Sequence, residues 1–163
     1  MQNIRFTMSS LFTCLTISLT AVACDGSWDD EVAAPENFRS TYQQIHVCRG
    51  SQHPKAKFVI TWLSPEGSST WDALSNGDTS ADFPVGTVAV KAQYSDASCS
   101  SLTGYTLMEK TSTAEDAPKG GWRWQFTNEF GECSDCDAGA GCTDCHTAVC
   151  TSSPKLFCTA PSP

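Results

Sequence analysis

The sequence predicts an α+β fold, in which a mostly antiparallel β-sheet carries two short helices and a cysteine-rich C-terminal segment. Several segments alternate apolar and polar residues, as strands with one buried face do. Short turns separate these segments, which favours antiparallel neighbours. After Asn128 the alternation stops and Gly, Asp, Ser and Cys dominate, so this part is predicted to be irregular.

The first predicted elements are a helix and a strand. In "APENFRSTYQQI", Pro35 suits a first helical turn, and Phe38, Tyr42 and Ile45 recur at helical spacing. The segment "KFVITWL", residues 57–63, is rich in β-branched and aromatic residues and predicts a strand.

A second helix follows in "SPEGSSTWDALSNG". Ser64 is the predicted N-cap, Pro65 occupies the first helical position and Gly77 ends the helix. This helix connects the first predicted strand to the next one.

Three further strands are predicted by alternation in "FPVGTVAVKAQY", "TGYTLMEK" and "GGWRWQFTN". In the first of these, Val88, Val90 and Tyr94 share one face. The opposite face carries Thr87, Ala89, Lys91 and Gln93. In the last, one face carries Trp122, Trp124 and Phe126, and the other carries Arg123, Gln125 and Thr127.

The N-terminus is typical of an exported lipoprotein. Arg5 precedes an apolar run that ends in small residues at Ala23, which indicates a signal peptide at 1–23. Cleavage there would leave Cys24 as the lipidated residue. Residues 24–34 are polar and acidic and are predicted to be a tether, and the folded domain is placed at 35–163. We therefore expect an exported protein at the periplasmic side or outer surface of a bacterial membrane, held only by its lipid anchor.

Charge restricts the partners of the exported chain. The sequence has 10 basic and 18 acidic residues, and the predicted signal peptide removes one of the basic ones. Such an acidic surface repels phosphate backbones, so nucleic acid is not expected as a partner. Export also places the cysteines in an oxidising compartment, which favours disulfides or covalent cofactors over free thiols.

The segment "CTDCH" near the C-terminus has the spacing of a haem c attachment site. Cys142 and Cys145 could bond the two vinyl groups of one porphyrin, and His146 could ligate the iron. Two alternatives remain. Zinc could bind Cys133 and Cys136 together with the later pair, although the gap between the pairs is short. Alternatively, all these thiols form disulfides, which leaves the histidine unexplained.

No sixth iron ligand is evident in the sequence. Met108 lies in a predicted strand and is expected to fill the core. His46 and His53 flank Cys48 in a polar stretch and are expected at the surface. An iron with one open face binds small molecules, and the distal pocket determines their fate.

Four segments together resemble the cytochrome P-460 family, which includes the cytochromes c′-beta. The segments are "FPVGTVAVKAQY", "LTGYTLMEK", "GGWRWQF" and the late "CTDCH", and the similarity covers about residues 35–157. The resemblance implies a β-rich, exported haem c protein with a five-coordinate iron, often a homodimer. Its better-known members oxidise hydroxylamine, whereas the c′-beta members bind nitric oxide without turnover.

In the catalytic members of that family, a lysine at the end of the "GTVxVK" strand is bonded to a porphyrin meso carbon, and Lys91 is the matching position. The family's distal acid or arginine does not transfer directly, so Glu109, Glu129 and Arg123 are candidates. The chain also departs from the family in six extra cysteines, for which we expect three disulfides: Cys48, Cys99, Cys133, Cys136, Cys150 and Cys158.

Three functions follow as hypotheses. The leading one is an oxidoreductase that oxidises hydroxylamine or nitric oxide at a haem c iron and passes electrons to a soluble redox partner. The second is a nitric oxide binding or sensing protein with the same haem and no turnover. The third is a haem-free, disulfide-stapled lipoprotein that serves as an interaction domain.

Overall fold

The computed structural model describes residues 32, 34–51, 53, 55–78, 80–114, 117–136 and 138–149. The predicted signal peptide, the predicted lipidation site Cys24, and Cys150 and Cys158 lie outside the described residues. In the described ranges, no helix has both the length and the apolar character needed to cross a membrane.

Six strands form one antiparallel sheet in which spatial order follows chain order. This arrangement confirms the predicted α+β class and the mostly antiparallel sheet. The strands are β1 (Gln43–Gly50), β2 (Phe58–Leu63), β3 (Val88–Tyr94), β4 (Leu102–Lys110), β5 (Trp122–Thr127) and β6 (Cys133–Asp135).

Three helices flank the sheet: α1 (Phe38–Thr41), α2 (Pro65–Ser75) and α3 (Gly139–Val149). The predicted second helix is confirmed as α2, with Ser64 as N-cap and Asn76 as C-cap. The Ser64 hydroxyl accepts a hydrogen bond from the Val88 N–H at 2.9 Å, which ties the start of α2 to β3. Gly77 follows the helix with φ of 91°, a conformation that glycine adopts without strain.

The predicted first helix is longer than the observed helix α1. It ends at Thr41, because Tyr42 is extended and Gln43–Gly50 forms β1. Ile45 and Val47 are β-branched, and the segment pairs with β2 along its length, with two irregularities in the register. The helical spacing of Phe38, Tyr42 and Ile45 was therefore coincidental.

The C-terminal segment is more regular than its composition predicts. Cys133–Asp135 adds the edge strand β6, and Gly139–Val149 forms α3, which carries the whole "CTDCH" motif. Because α3 packs against β5, tertiary contact offsets the weak helix propensity of its glycines and threonines.

Both faces of the sheet are covered, so the central strands are buried on both sides. The α1 face, which packs beneath α1, is the apolar side of β3 predicted from sequence. Its buried residues include Trp62, Val88, Val90, Ala92 and Leu107. The α3 face, which packs beneath α2 and α3, carries Leu63, Ala89, Met108, Trp122, Trp124 and Phe126.

The packed chain includes a residue ahead of Pro35, where the sequence places the start of the folded domain. Val32 is buried on the α1 face, and its N–H donates to the Gln125 side-chain oxygen at 2.6 Å. Part of the predicted tether thus contributes to the core.

Two of the expected disulfides lie within the described residues. Cys48–Cys99 joins β1 to the β3–β4 connection, and Cys133–Cys136 closes a short loop around β6. The third expected bridge remains a prediction, because the other two cysteines lie outside the described residues.

Removal of the longer disulfide should destabilise the fold clearly more than removal of the shorter one. Cys48–Cys99 spans 51 residues and Cys133–Cys136 spans 3, so only the former restricts a large part of the unfolded chain. We expect the Cys48→Ala, Cys99→Ala double variant to lose about 2–4 kcal/mol of unfolding free energy, measured by urea denaturation. Equal losses in the two double variants would contradict this assignment.

Candidate functional site

A row of four directly paired residues crosses the α3 face through adjacent strands. Thr61 in β2 pairs with Lys91 in β3, which pairs with Thr106 in β4, and Thr106 pairs with Phe126 in β5. Directly opposite residues in an antiparallel sheet point to the same side. Lys91 therefore projects from the middle of the sheet on the side that α3 covers.

The β1–β2 loop extends across this face. His53 and Lys55 belong to the loop, yet both contact Phe126, three strands away from β2. The His53 and Phe126 ring centroids are 5.7 Å apart, and the Lys55 Nζ lies 3.8 Å from the centre of the Phe126 ring. The loop thus covers the part of the sheet where Lys91 lies.

Helix α3 closes another side of the same region. The His146 ring meets the edge of Trp124 with centroids 4.4 Å apart, and Cys142 packs against the core cluster that contains Trp124. The motif predicted to attach haem therefore lies on the face from which Lys91 projects.

The side chain of Lys91 is mostly covered by the protein. The ammonium is surrounded by protein, while the residue as a whole keeps some accessible surface. Burial lowers its pKa to about 8, and the nearby Arg49 guanidinium lowers it further, whereas Cys142 acts in the opposite direction. The face of β3 that carries Lys91 is thus covered by the β1–β2 loop and α3.

Cys142 and Cys145 are free, whereas the other four cysteines in the described part of the chain are bridged. Cys142 is half-buried and Cys145 is exposed. Burial and the Asp135 carboxylate raise the pKa of the Cys142 thiol, while Lys55 and Lys91 lower it. The two thiols of the motif are thus available for bonding to a further group.

His53 lies in this site, contrary to its expected surface position. The Lys55 N–H donates to His53 Nδ1 at 3.3 Å, so in the neutral ring the proton resides on Nε2. Burial, together with Lys91, His146 and Lys55, lowers the pKa of His53 to about 4. The imidazole is therefore neutral at physiological pH and can donate a hydrogen bond through Nε2.

His46 and Met108 both pack against core residues. His46 was also expected at the surface, but it is partly buried with its ring against the edge of Trp71, at a centroid distance of 5.4 Å. Met108 is buried in the core cluster, as the sequence predicted.

The structure does not bring the candidate distal residues to Lys91. Glu109 and Arg123 are opposite each other in β4 and β5 and form an ion pair at 3.4 Å. Their register places them on the α1 face, on the other side of the sheet from Lys91. Glu129 is exposed and lines a cleft of about 700 Å³ on that same face, together with the exposed Phe130.

The residues of the site fit a covalently attached haem. Two buried polar atoms, Trp124 Nε1 and Thr143 Oγ1, have no hydrogen-bond partner among the described residues. Such atoms cost free energy unless a further group or water satisfies them. Thr143 lies inside the "CTDCH" motif, and the unpaired indole belongs to the residue that His146 contacts. One unsatisfied atom thus lies in the motif and the other lies in a residue that the motif contacts.

Over the described ranges, no group of three or more His, Cys, Asp or Glu side chains is arranged to hold a metal ion. Compared with known proteins, the chain matches no protein-family model and no curated protein. The fold and the site therefore define its class by their own geometry: a mostly β domain with a covered lysine and a "CTDCH" helix on one face.

Sequence reasoning missed three residues of this site. Arg49, His53 and Lys55 reach it through the end of β1 and the β1–β2 loop, and nothing in their local sequence indicates that the loop crosses the sheet. The only available signal was the concentration of basic residues at 49–57 in an acidic chain.

Proposed function

We propose that this protein is an exported c-type haem protein of nitrogen-oxide chemistry. Cys142 and Cys145 would hold the haem through thioether bonds, and His146 would ligate its iron. The observation that carries the proposal is the convergence of Lys91 with the "CTDCH" helix on one covered face. This is the pair of features for which the sequence resembles the cytochrome P-460 family.

The surroundings of the site support a small-molecule ligand at an iron with one open face. When bound, the haem would supply one-electron redox chemistry. Trp124 and Phe126 provide apolar walls that exclude water, and the β1–β2 loop restricts access from above. Neither Met108 nor His53 is proposed as a second iron ligand. Met108 is buried in the core cluster, and His53 Nδ1 already accepts a hydrogen bond.

The substrate in this proposal is hydroxylamine or nitric oxide, which loses electrons that then pass to a soluble redox partner. Export by the signal peptide and anchoring at Cys24 are part of the same proposal. They would place the protein at the outer side of a bacterial membrane, where haem c and disulfides are both stable.

One observation favours a second function, nitric oxide binding without turnover. Oxidation of hydroxylamine releases protons, which require an acceptor near the iron. The candidate carboxylates Glu109 and Glu129 belong to the other side of the sheet, and His53 has a pKa of about 4 and is a weak base.

Absorption spectra of the protein matured in a host that attaches haem c test the proposal and distinguish its alternatives. We expect a Soret band that persists after acid–acetone extraction. A red-shifted band in the reduced state indicates a lysine cross-link and the oxidoreductase, whereas an ordinary position indicates the nitric oxide binder. Absence of the band would leave the haem-free interaction domain as the function.

A further inference from the structure

The face of the sheet beneath the β1–β2 loop collects positive charge in a strongly acidic protein. Lys55 and His53 contact Phe126, which lies in the same directly paired row as Lys91. Arg49 pairs with Val59, which faces the same side of the sheet as Thr61 in that row. The whole chain nevertheless has a formal net charge of −8. A cluster of three cations in such a chain requires an explanation.

No carboxylate of the described residues forms an ion pair with any of these three cations. Asp135 acts on the same Cys142 thiol as Lys55 and Lys91, but it is not paired with either lysine. The ion pairs that are described, Lys110–Asp82 and Arg123–Glu109, involve other residues. No carboxylate of the described residues therefore offsets the repulsion between these positive charges, although Lys55 has a cation–π contact with Phe126.

Several buried polar groups on this face have no partner among the described residues. The Arg49 Nε–H and the Trp124 Nε1–H are hydrogen-bond donors, and the Thr61 and Thr143 hydroxyls can donate as well as accept. His53 carries its proton on Nε2, because Nδ1 accepts from the Lys55 N–H. Guanidinium, ammonium and N–H donors without acceptors are complementary to an anion.

We propose that Arg49, His53 and Lys55 form a binding site for a small planar oxyanion, such as nitrite or a carboxylate, and that Lys91 adds its charge to the site when it is not bonded to the porphyrin. Arg49 supplies a planar fork for two oxygens, and the lysines supply charge. The site deepens the proposed function, on which it rests for the nature of the anion, since nitrite is an oxidised product of nitrogen-oxide chemistry.

The anion can come from two sources, either a free solute or a haem propionate. A porphyrin carries its propionates on the edge opposite the two vinyl groups that form thioethers. Lys55 lies over Phe126, which belongs to the core cluster that Cys142 packs against, so this cation lies towards the thioether edge. This geometry favours the free oxyanion.

Nitrite binding, measured by calorimetry, tests the site in the haem-loaded protein with cyanide bound to its iron and in the haem-free Cys142→Ala, Cys145→Ala variant. We expect one site in each form. Arg49→Gln and Lys55→Gln should each weaken binding about tenfold or more, because each removes a charge-assisted hydrogen bond. Lys57→Gln is the matched control, since Lys57 is exposed two residues further along the same loop, and it should change affinity less than about twofold.

Each outcome supports or overturns the oxyanion site. Binding to the haem-loaded protein supports a free oxyanion as ligand. Binding to the haem-free chain alone, lost on haem loading, supports the same donors with propionate as the source. No nitrite binding to either form, or equal effects of Lys55→Gln and Lys57→Gln, overturns the oxyanion site. Haem content is measured separately, so failure of the proposed function is recognised independently of nitrite binding.

Discussion

The protein in which Cys142 and Cys145 are both replaced by alanine should contain no covalently bound haem. Each thioether bonds one vinyl group of the porphyrin, so the double variant has no point of attachment before peroxide is added and a bond to Lys91 can form. The structure supports this choice, since these two cysteines are free whereas the other four cysteines described are bridged. The measurement is the haem that stays with the protein after acid–acetone extraction.

The chain itself provides a matched control for this experiment. Cys133 and Cys136 have the same spacing and lie in the same segment, but they form a disulfide with each other. Replacing both of them by alanine should leave covalent haem at the level of the unmodified protein. A full haem content in the variant that lacks Cys142 and Cys145 would end the c-type assignment.

His146→Ala separates attachment from ligation. The variant keeps both thiols, so part of the haem should remain covalently bound, while the axial bond to iron is lost. We expect a changed Soret position with thioether-linked haem still present. An unchanged spectrum would mean that another residue ligates the iron.

Much of the sheet could be predicted from the sequence because strand alternation is a local signal. The segments around Val90 and Trp124 alternate clearly, and both became central strands. The strand β1 was missed because Phe38, Tyr42 and Ile45 have helical spacing. The segment is a strand because it pairs with β2, which lies outside its local sequence. Helix α3 was missed for a related reason, since its packing against β5 outweighs its weak local propensity.

The candidate site likewise has residues that the sequence predicts and residues that only the structure reveals. Covalent spacing along the chain is enough to single out Cys142, Cys145 and His146 as candidates, and the resemblance to a known family singles out Lys91. The positions of His53 and Lys55 depend on a loop that folds over the sheet, which no local pattern encodes. The sequence therefore indicates the candidate covalent chemistry, whereas the residues that surround it become visible only in three dimensions.

Lys91 should be found bonded to the porphyrin if the protein is an oxidoreductase. Its position beside the "CTDCH" helix provides the proximity, and its pKa of about 8 provides a neutral amine near physiological pH. Bond formation removes one hydrogen from the amine and one from the meso carbon, so it needs a two-electron oxidant such as a peroxide. Tryptic mass spectrometry should then place Lys91 and the Cys142–His146 segment in one haem-linked species.

The pH dependence of cross-linking gives a sharper test of the same prediction. Only the neutral amine is a nucleophile, so the initial rate after addition of peroxide should rise with pH and level off above about pH 8. An ordinary lysine would give a rate that keeps rising to about pH 10. A rate that keeps rising to about pH 10 would contradict the lowered pKa of the attacking amine.

Lys91→Leu removes the amine while keeping an apolar side chain beneath the loop. This variant should still bind haem and nitric oxide, but it should lose the red-shifted reduced spectrum and hydroxylamine oxidation. Lys57→Leu is the control, because Lys57 is exposed and has no contact with the candidate site among those described; it should retain both properties. Recovery of Lys91 in an unmodified peptide from fully haem-loaded, peroxide-treated protein would exclude the cross-link and favour nitric oxide binding without turnover.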